Sequence, residues 1–323
     1  MTRVLVTGAA GFVGHALCEL LSGSGYLIRA ALRTDQNIPI DVFEKTIVGD
    51  IDETTDWRSA LEGVDSVIHL AARTHVLRDS DANSDLYFKT NACGTRNLVN
   101  ASVASGVRRF IYLSSIKVNG ERTIDRPFGS NDRPAPIDAY GRSKWLGEQA
   151  VAQAGAAAAM EVAIVRSPLV YGAGVRANFL HLMHWVDRQR VLPLGAIDNR
   201  RSLVSVWNLC DLLITVLRRP EAAGKTWMVS DGEDLSTPEL IRRIARAMDR
   251  RACLLPVPAG FLRFCGALIG RSDQIGRLCG SLVVDISRTR AELGWSPPLS
   301  VDEALSRTAV WYFSTIRRGR QAR

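Results

Sequence analysis

The chain has 323 residues, of which 46% are hydrophobic and 23% charged, and this balance is typical of a globular protein with one or two domains. No uncharged run of about 18 apolar residues occurs, so we expect no membrane-spanning segment. The formal net charge is +8, but the basic residues are dispersed, and we therefore do not expect nucleic-acid binding.

Other features of the composition suggest a cytoplasmic location. A strand pattern begins at residue 3, so we expect no signal peptide. The six cysteines are scattered without a CxxC pair, which favours reduced thiols. No His/Cys/Asp cluster has metal-ligand spacing, and we expect no metal site. The apolar stretch 261–269 contains Arg263 and is too short to span a membrane. It could touch a membrane surface, but we favour packing within a small domain.

The first strand and helix are joined by a glycine-rich turn. Residues 3–6 (RVLV) have the pattern of a short buried strand, residues 7–14 read TGAAGFVG, and an apolar helical pattern follows. Gly8 permits a tight turn, Gly11 lets the backbone approach a pyrophosphate, and Gly14 lets the helix pack on the strand. The free N–H groups at the helix start then face the anion, so we predict a dinucleotide phosphate site.

The next two strands predict the adenosine end of that site. The second strand, 26–32, ends at Arg33, which can pair with a 2′-phosphate and so favours NADP(H). NAD(H) remains possible if Asp35 accepts hydrogen bonds from the ribose instead. The third strand, 45–48, is followed by Asp50 and Ile51, and this Asp can accept a hydrogen bond from the adenine amino group.

The middle of the chain continues the alternation of helices and strands. We predict a helix at 52–61, a fourth strand and its exit at 66–72, a long helix at 85–105 and a fifth strand at 110–113 that ends in Ser114 and Ser115. Small residues at the end of the fourth strand would let a cofactor lie close to the backbone. We interpret His69 as a packed core residue.

A helix that Asp138 caps contains Tyr140 and Lys144, which share one face because they are four residues apart. A sixth strand at 162–166 ends at Ser167. The alternation predicts an α/β protein with a Rossmann-type, doubly wound parallel sheet whose ligands bind at the carboxyl ends of the strands. We place this domain at 1–174, with a return of 203–230 to it, and an interleaved, smaller mixed α/β substrate lobe at 175–323.

Ser115, Tyr140 and Lys144 together indicate proton transfer beside a hydride acceptor. A tyrosine has an ordinary pKa of about 10, too high for a base at neutral pH. A lysine one turn away would stabilise the phenolate and lower that pKa. The serine hydroxyl can hydrogen-bond the reacting hydroxyl or carbonyl.

The full set of motifs resembles the extended short-chain dehydrogenase/reductase family, in particular its nucleotide-sugar epimerases and reductases. The resemblance covers nearly the whole chain. It rests on TGAAGFVG, Gly49-Asp50, HLAA at 69–72, Asn91 with Gly94-Thr95, LSS at 113–115, YGRSK at 140–144, RSPLVYG at 166–172, the segment 201–211 and LGW at 293–295.

This resemblance implies a role for each matching residue. Tyr140 would be the acid/base, Lys144 would hold the tyrosine and the nicotinamide ribose, and Ser115 would orient the sugar. Asn178, Arg201 and Arg277 would bind the substrate, with Arg271 as a second candidate for the last position. A homodimer is usual for such proteins. The cofactor-binding set would be Gly8, Gly11, Phe12, Val13, Gly14, Arg33, Asp50, Ile51, Leu70, Ala71, Ala72, Asn91, Ser114, Tyr140, Lys144 and Ser167.

Departures from the family narrow the expected reaction. A 4,6-dehydratase needs an Asp-Glu pair where this chain has Ile116 and Lys117. We favour a reductase that acts on the carbon 4 ketone of a UDP-4-keto-6-deoxy-hexosamine in surface polysaccharide (O-antigen lipopolysaccharide) biosynthesis. The alternative is a UDP-hexose or UDP-N-acetylhexosamine 4-epimerase. A non-catalytic, NADP-sensing or scaffold protein is a remote alternative, because Tyr140 and Lys144 are both present.

Overall fold

The structure is a computed structural model that describes residues 2–35, 42–74, 81–268, 270 and 272–317. Strands and helices alternate through the first half of the chain. Their bounds are β1 (Arg3–Thr7), α1 (Phe12–Ser22), β2 (Leu27–Leu32), β3 (Glu44–Ile47), α2 (Arg58–Leu61), β4 (Ser66–His69), α3 (Asp81–Tyr87), α4 (Thr95–Ala104), β5 (Arg109–Ser115), α5 (Ala139–Ala157) and β6 (Glu161–Ser167).

Helices predominate in the second half. The elements are β7 (Leu169–Tyr171), α6 (Ala177–Asp187), β8 (Arg201–Ser205), α7 (Val206–Arg218), β9 (Lys225–Met228), β10 (Asp234–Leu235), α8 (Thr237–Ala247), α9 (Ala259–Leu268), α10 (Ser272–Cys279), α11 (Ser287–Leu293) and α12 (Val301–Trp311).

A seven-stranded parallel sheet in the order β3-β2-β1-β4-β5-β6-β9 forms the centre of the protein. Its middle strands are apolar on both faces because helices cover both sides, as Val4, Leu5 and Val6 of β1 show by being fully buried. A second sheet, β10-β8-β7, is mixed, since β8 pairs parallel to β7 and antiparallel to β10. The architecture confirms the predicted Rossmann-type fold with a smaller mixed sheet.

The chain returns to the large sheet after it has begun the small one. Strand β9 pairs with β6, and α7 packs against α1. The hydrophobic clusters beneath the large and small sheets share Phe12 and Trp207 at their borders. The division of the chain at residue 174 therefore stays a prediction, because the two cores are contiguous.

The predicted helix 85–105 is divided by the π-helical segment Phe88–Gly94. Asn91 within it is fully buried, and its amide exchanges hydrogen bonds of 2.8 and 3.1 Å with the backbone of Arg73. Gly94 lies against Ile51, where an added Cβ would come within 2.7 Å of the Ile51 side chain. The π-helical turn is wider than an α-helical turn, and it packs this helix between the loop at Arg73 and the loop at Ile51. Both loops border the carboxyl edge of the sheet.

The predicted helix 52–61 is also shorter than expected and comprises only Arg58–Leu61. The Asp52 side chain accepts a hydrogen bond from the Thr54 N–H at 2.8 Å, and the Asp52 N–H donates to the Thr55 hydroxyl at 2.9 Å. These local side-chain bonds compete with helical hydrogen bonding and delay the start of the helix.

Three further observations concern the described residues. Within those ranges, none of the helices has the length and apolar character that crossing a bilayer requires. The same part of the chain holds no group of three or more His, Cys, Asp or Glu side chains arranged for a metal ion. All six cysteines are free thiols.

Candidate active site

The glycine turn after β1 has the close packing that a pyrophosphate site requires. Gly8 has φ +70°, and a Cβ there would lie 2.9 Å from the backbone nitrogen of Ala71. A Cβ on Gly14 would lie only 2.1 Å from the Gly8 carbonyl oxygen. Helix α1 begins at Phe12 with no acidic residue in its first turn, so its first N–H groups are available to an anion. The residues of this turn therefore fit a dinucleotide.

The buried side chain of His69 ties β1 to β4 beneath that turn. Its ring nitrogens hydrogen-bond the hydroxyls of Thr7 at 2.6 Å and Thr95 at 3.0 Å. Burial lowers the pKa of His69 to about 3, so the ring is neutral. This confirms its interpretation as a packed core residue.

Arg33 and Asp50, predicted to bind opposite parts of the adenosine, pair with each other. Arg33 Nε lies 2.6 Å from one Asp50 carboxylate oxygen, and a second guanidinium nitrogen lies 3.1 Å from the other. Both side chains are more than two-thirds exposed, at 69% and 68%. The carboxylate thus neutralises the guanidinium that was expected to select a 2′-phosphate.

Residues at the ends of β4, β5 and β6 line the same edge of the sheet. Leu70, Ala71 and Ala72 are half-buried there. The Ser114 hydroxyl is buried and has no hydrogen-bond partner in the described part of the chain, while the Ser167 hydroxyl donates to the Ser114 carbonyl at 3.4 Å. An unsatisfied buried hydroxyl is costly, so Ser114 is suited to a bound ligand.

Tyr140 lies in the first turn of α5, on the carboxyl side of the sheet. The Asp138 side chain caps this helix by accepting from the Gly141 N–H at 2.7 Å. The Tyr140 ring is half-buried and packs edge-on against Tyr87, with centroids 5.9 Å apart. Burial raises the pKa of Tyr140 to about 12, and the nearby Ser115 side chain opposes that shift. Ser115 and Tyr140 are therefore neighbours, as the sequence predicts.

Lys144 occupies a different position from the one we expected. Its Nζ donates to the Leu113 carbonyl at 2.7 Å and lies 4.0 Å from the centre of the Tyr112 ring. The side chain is almost fully buried, which lowers the pKa of Lys144 to about 7. The expected lowering of the Tyr140 pKa is therefore wrong for this structure, because burial favours the neutral form of both groups.

Sequence reasoning missed a buried ion pair one helical turn after Lys144. Arg166 Nε and a terminal nitrogen donate to the two Glu148 oxygens at 2.9 and 2.6 Å, and the other nitrogen donates to Asn119 Oδ1 at 3.0 Å. The Arg and Glu side chains are only 4% and 2% exposed. Arg166 itself could have indicated this pair, because a charged side chain at the end of a buried strand requires a buried partner of opposite charge.

Ile116 and Lys117 occupy the positions where a dehydratase has its acid pair. Ile116 is buried, and the Lys117 ammonium is held by Glu121 at 2.9 Å and by Asp138. A buried alkyl group exchanges no proton, and an ammonium held by two carboxylates is not a base, so these positions do not provide the carboxyl pair of a dehydratase. The exclusion of dehydratase chemistry stays a prediction.

The predicted substrate residues come from β8, α10 and α6. The Arg201 guanidinium donates to the carbonyls of Arg277 at 2.8 Å and Gly280 at 3.0 Å, which brings α10 against the start of β8. The Arg277 side chain is exposed, as is Asn178 in the first turn of α6. Arg271 lies outside the described residues.

The chain is similar to known proteins over nearly its whole length. A family model described as the NAD dependent epimerase/dehydratase family matches residues 4–230. A UDP-glucose 4-epimerase of Vibrio cholerae is 44% identical over 319 residues, which span 98% of this chain and 97% of the relative. The N-acetyl-alpha-D-glucosaminyl-diphospho-ditrans,octacis-undecaprenol 4-epimerase of Escherichia coli O157:H7 is 26% identical, over 96% of this chain and 95% of the relative.

The structure of MoeE5 in complex with UDP-glucose and NAD superposes with a TM-score of 0.79 at 24% identity, covering 98% of this chain and 99% of that one. This likeness concerns the fold. The comparisons do not support the NADP preference that we expected from Arg33. They confirm the resemblance seen in the motifs, and the chain belongs to the NAD dependent epimerase/dehydratase family.

Proposed function

We propose that the protein is an NAD-dependent UDP-sugar 4-epimerase acting on a UDP-hexose or a UDP-N-acetylhexosamine. The observation that carries this proposal is the 44% identity to a UDP-glucose 4-epimerase over nearly the full length of both chains. The 4-epimerase therefore replaces the carbon 4 ketoreductase as the leading interpretation of the reaction. An epimerase regenerates its cofactor in each cycle, so it needs no external reductant.

The proposed chemistry assigns one proton to Tyr140. The glycine turn at residues 8–14 would hold NAD, which would supply a hydride acceptor for carbon 4 and a positive charge that favours the phenolate form of Tyr140. Tyr140 takes the proton of the 4-hydroxyl as the ketone forms and returns it to the oxygen when the ketone is reduced. Ser115, beside the phenol, orients the same oxygen. The 4-keto sugar rotates in the site between the two half-reactions, so that hydride returns to its other face.

Other predicted site residues also enter this proposal. Gly8, Gly11 and Gly14 form the turn for the pyrophosphate, and Asn91 is a positioning residue that secures the backbone at Arg73. Arg201 and Arg277 would bind the diphosphate of the substrate, and Asn178 the sugar. The homodimer, the cytoplasmic location and a role in surface polysaccharide biosynthesis stay predictions.

The test is a pair of incubations with the purified protein. Chromatography should show interconversion of UDP-N-acetylglucosamine and UDP-N-acetylgalactosamine, or of the corresponding UDP-hexoses, without added reductant. Stoichiometric loss of NADPH with a UDP-4-keto-6-deoxy-hexosamine, and no interconversion, would instead establish the reductase. The Tyr140→Phe variant is the control, since its activity in either assay would argue against the catalytic role of the phenol.

The cofactor preference can be tested through the pair between Arg33 and Asp50. Asp50→Asn keeps an oxygen for the adenine amino group but removes the carboxylate that neutralises Arg33. We expect calorimetric titration to show about tenfold tighter NADP binding, with little change for NAD. The double variant Arg33→Ala/Asp50→Asn should lose this gain. Unchanged NADP affinity in Asp50→Asn would contradict the explanation.

A further inference from the structure

Helix α9 exposes an apolar face that the rest of the chain does not cover in the described residues. Phe261, Phe264 and Leu268 are 59%, 61% and 72% exposed, and their spacing places them on one side of the helix. Gly266, on the opposite side, is buried. The expectation that this stretch packs within the smaller lobe is therefore wrong for these three side chains, whereas Leu262 does pack against the core of that lobe.

The surroundings of this face are basic. Residues 250–272 contain four arginines and no acidic residue. Arg250 is paired with Asp187, whereas Arg251 and Arg263 are exposed, the latter on α9 itself. Leu255, in the segment leading to the helix, is also 52% exposed. An exposed apolar face with an exposed arginine on the opposite side of the same helix is the pattern of a helix that lies in a membrane interface.

We propose that α9 docks the protein onto the surface of an anionic phospholipid bilayer. Phe261, Phe264 and Leu268 enter the boundary between head groups and acyl chains, and Arg251 and Arg263 contact the phosphates. The ten residues of α9 are too few to span the bilayer, so the association is peripheral.

Charge favours this occupant over a second copy of the chain. A two-fold interface through α9 would bring the Arg263 side chains of both copies close together, and α9 itself carries no carboxylate to compensate them. An anionic lipid surface provides the complementary charge together with an apolar layer. An apolar groove on a partner protein would bury the aromatic face of α9 but would give Arg251 and Arg263 no partner of opposite charge.

Docking would hold the predicted diphosphate site close to the bilayer. Helix α10 packs against α9, and its Arg277 carbonyl accepts a hydrogen bond from Arg201 at 2.8 Å. The inference does not depend on the reaction, because it rests on the exposed face and its charge. Its failure would therefore leave the proposed epimerase untouched.

The test is flotation of the full-length protein with vesicles of phosphatidylglycerol and phosphatidylethanolamine, compared with pure phosphatidylcholine. We expect binding to the anionic vesicles that weakens at high salt, and about a hundredfold weaker binding for Phe261→Ser/Phe264→Ser. The matched control is Ile124→Ser/Val310→Ser, which replaces side chains that are 79% and 69% exposed elsewhere. It should bind like the wild type.

Folding and turnover of UDP-sugar should be unchanged in the Phe261→Ser/Phe264→Ser variant, since neither side chain is in the proposed site. Several results would overturn the proposal: no binding by the wild type, equal binding to phosphatidylcholine, or equal losses in both double variants. Analytical ultracentrifugation measures whether the protein forms a dimer through this face. A dimer that requires Phe261 and Phe264, with no vesicle binding, would assign the face to a second copy.

Discussion

Replacement of Glu148 by Gln should destabilise the protein far more than its nearly identical shape suggests. The change keeps the volume of the side chain but removes the only carboxylate bonded to the buried Arg166 among the described residues. Both partners are at most 4% exposed, so water cannot solvate the guanidinium in its place. Asn119 would remain as a neutral partner.

The magnitude follows from the burial of the pair. Removing one partner of a buried ion pair costs about 3–5 kcal/mol, because the remaining charge stays uncompensated. A loss of this size is a large part of the total of about 5–15 kcal/mol that stabilises a typical domain. Replacing both partners, as in Glu148→Leu/Arg166→Met, should recover much of the loss because no buried charge then remains.

Urea unfolding followed by tryptophan fluorescence measures this effect. The matched control is Asp56→Asn, which breaks the pair with Arg58, whose side chains are 58% and 91% exposed; there we expect no resolvable change. A loss below about 1 kcal/mol in Glu148→Gln would refute the reasoning, since it would mean that water or another group compensates Arg166.

Three further predictions concern the site. Tyr140→Phe should lower turnover about 10²–10⁴-fold, measured by chromatography, and an unchanged unfolding midpoint is the control. Gly14→Ala should abolish NAD binding in a fluorescence titration, because the new Cβ would lie 2.1 Å from the Gly8 carbonyl; Gly260→Ala, which meets nothing within 4 Å, should bind normally, and normal binding by both would contradict the packing argument. Burial lowers the pKa of Lys144 from 10.5 to about 7, so between these values the unfolded chain holds a proton that the folded chain has lost. The free energy of unfolding should therefore rise with pH across this window, by up to about 1.4 kcal/mol per pH unit, and this slope should be missing in Lys144→Met. The same slope in both proteins would exclude Lys144 as its source.

Local patterns in the sequence determined the framework of this protein. The strand, the glycine turn and the helix at residues 3–22 follow from apolar runs and from glycines whose positions leave no room for a Cβ. The alternation of strands and helices predicts a parallel, doubly wound sheet, and the carboxyl edge of such a sheet is where Ser115, Tyr140 and Ser167 are expected. The glycine turn and the alternation of elements are patterns along the chain, so they can be recognised from the sequence without the structure.

Only the tertiary structure decided which charged groups meet and how deeply they are buried. Arg33 and Asp50 are 17 residues apart, and Arg166 and Glu148 are 18 apart on different elements. The position of Lys144 against Leu113 depends on how α5 packs on β5, and the exposure of Phe261 depends on which side of α9 the small lobe covers. Electrostatic energies and pKa values depend on how deeply a group is buried and on partners that are distant in the sequence. The burial and the partners are both set only when the chain folds.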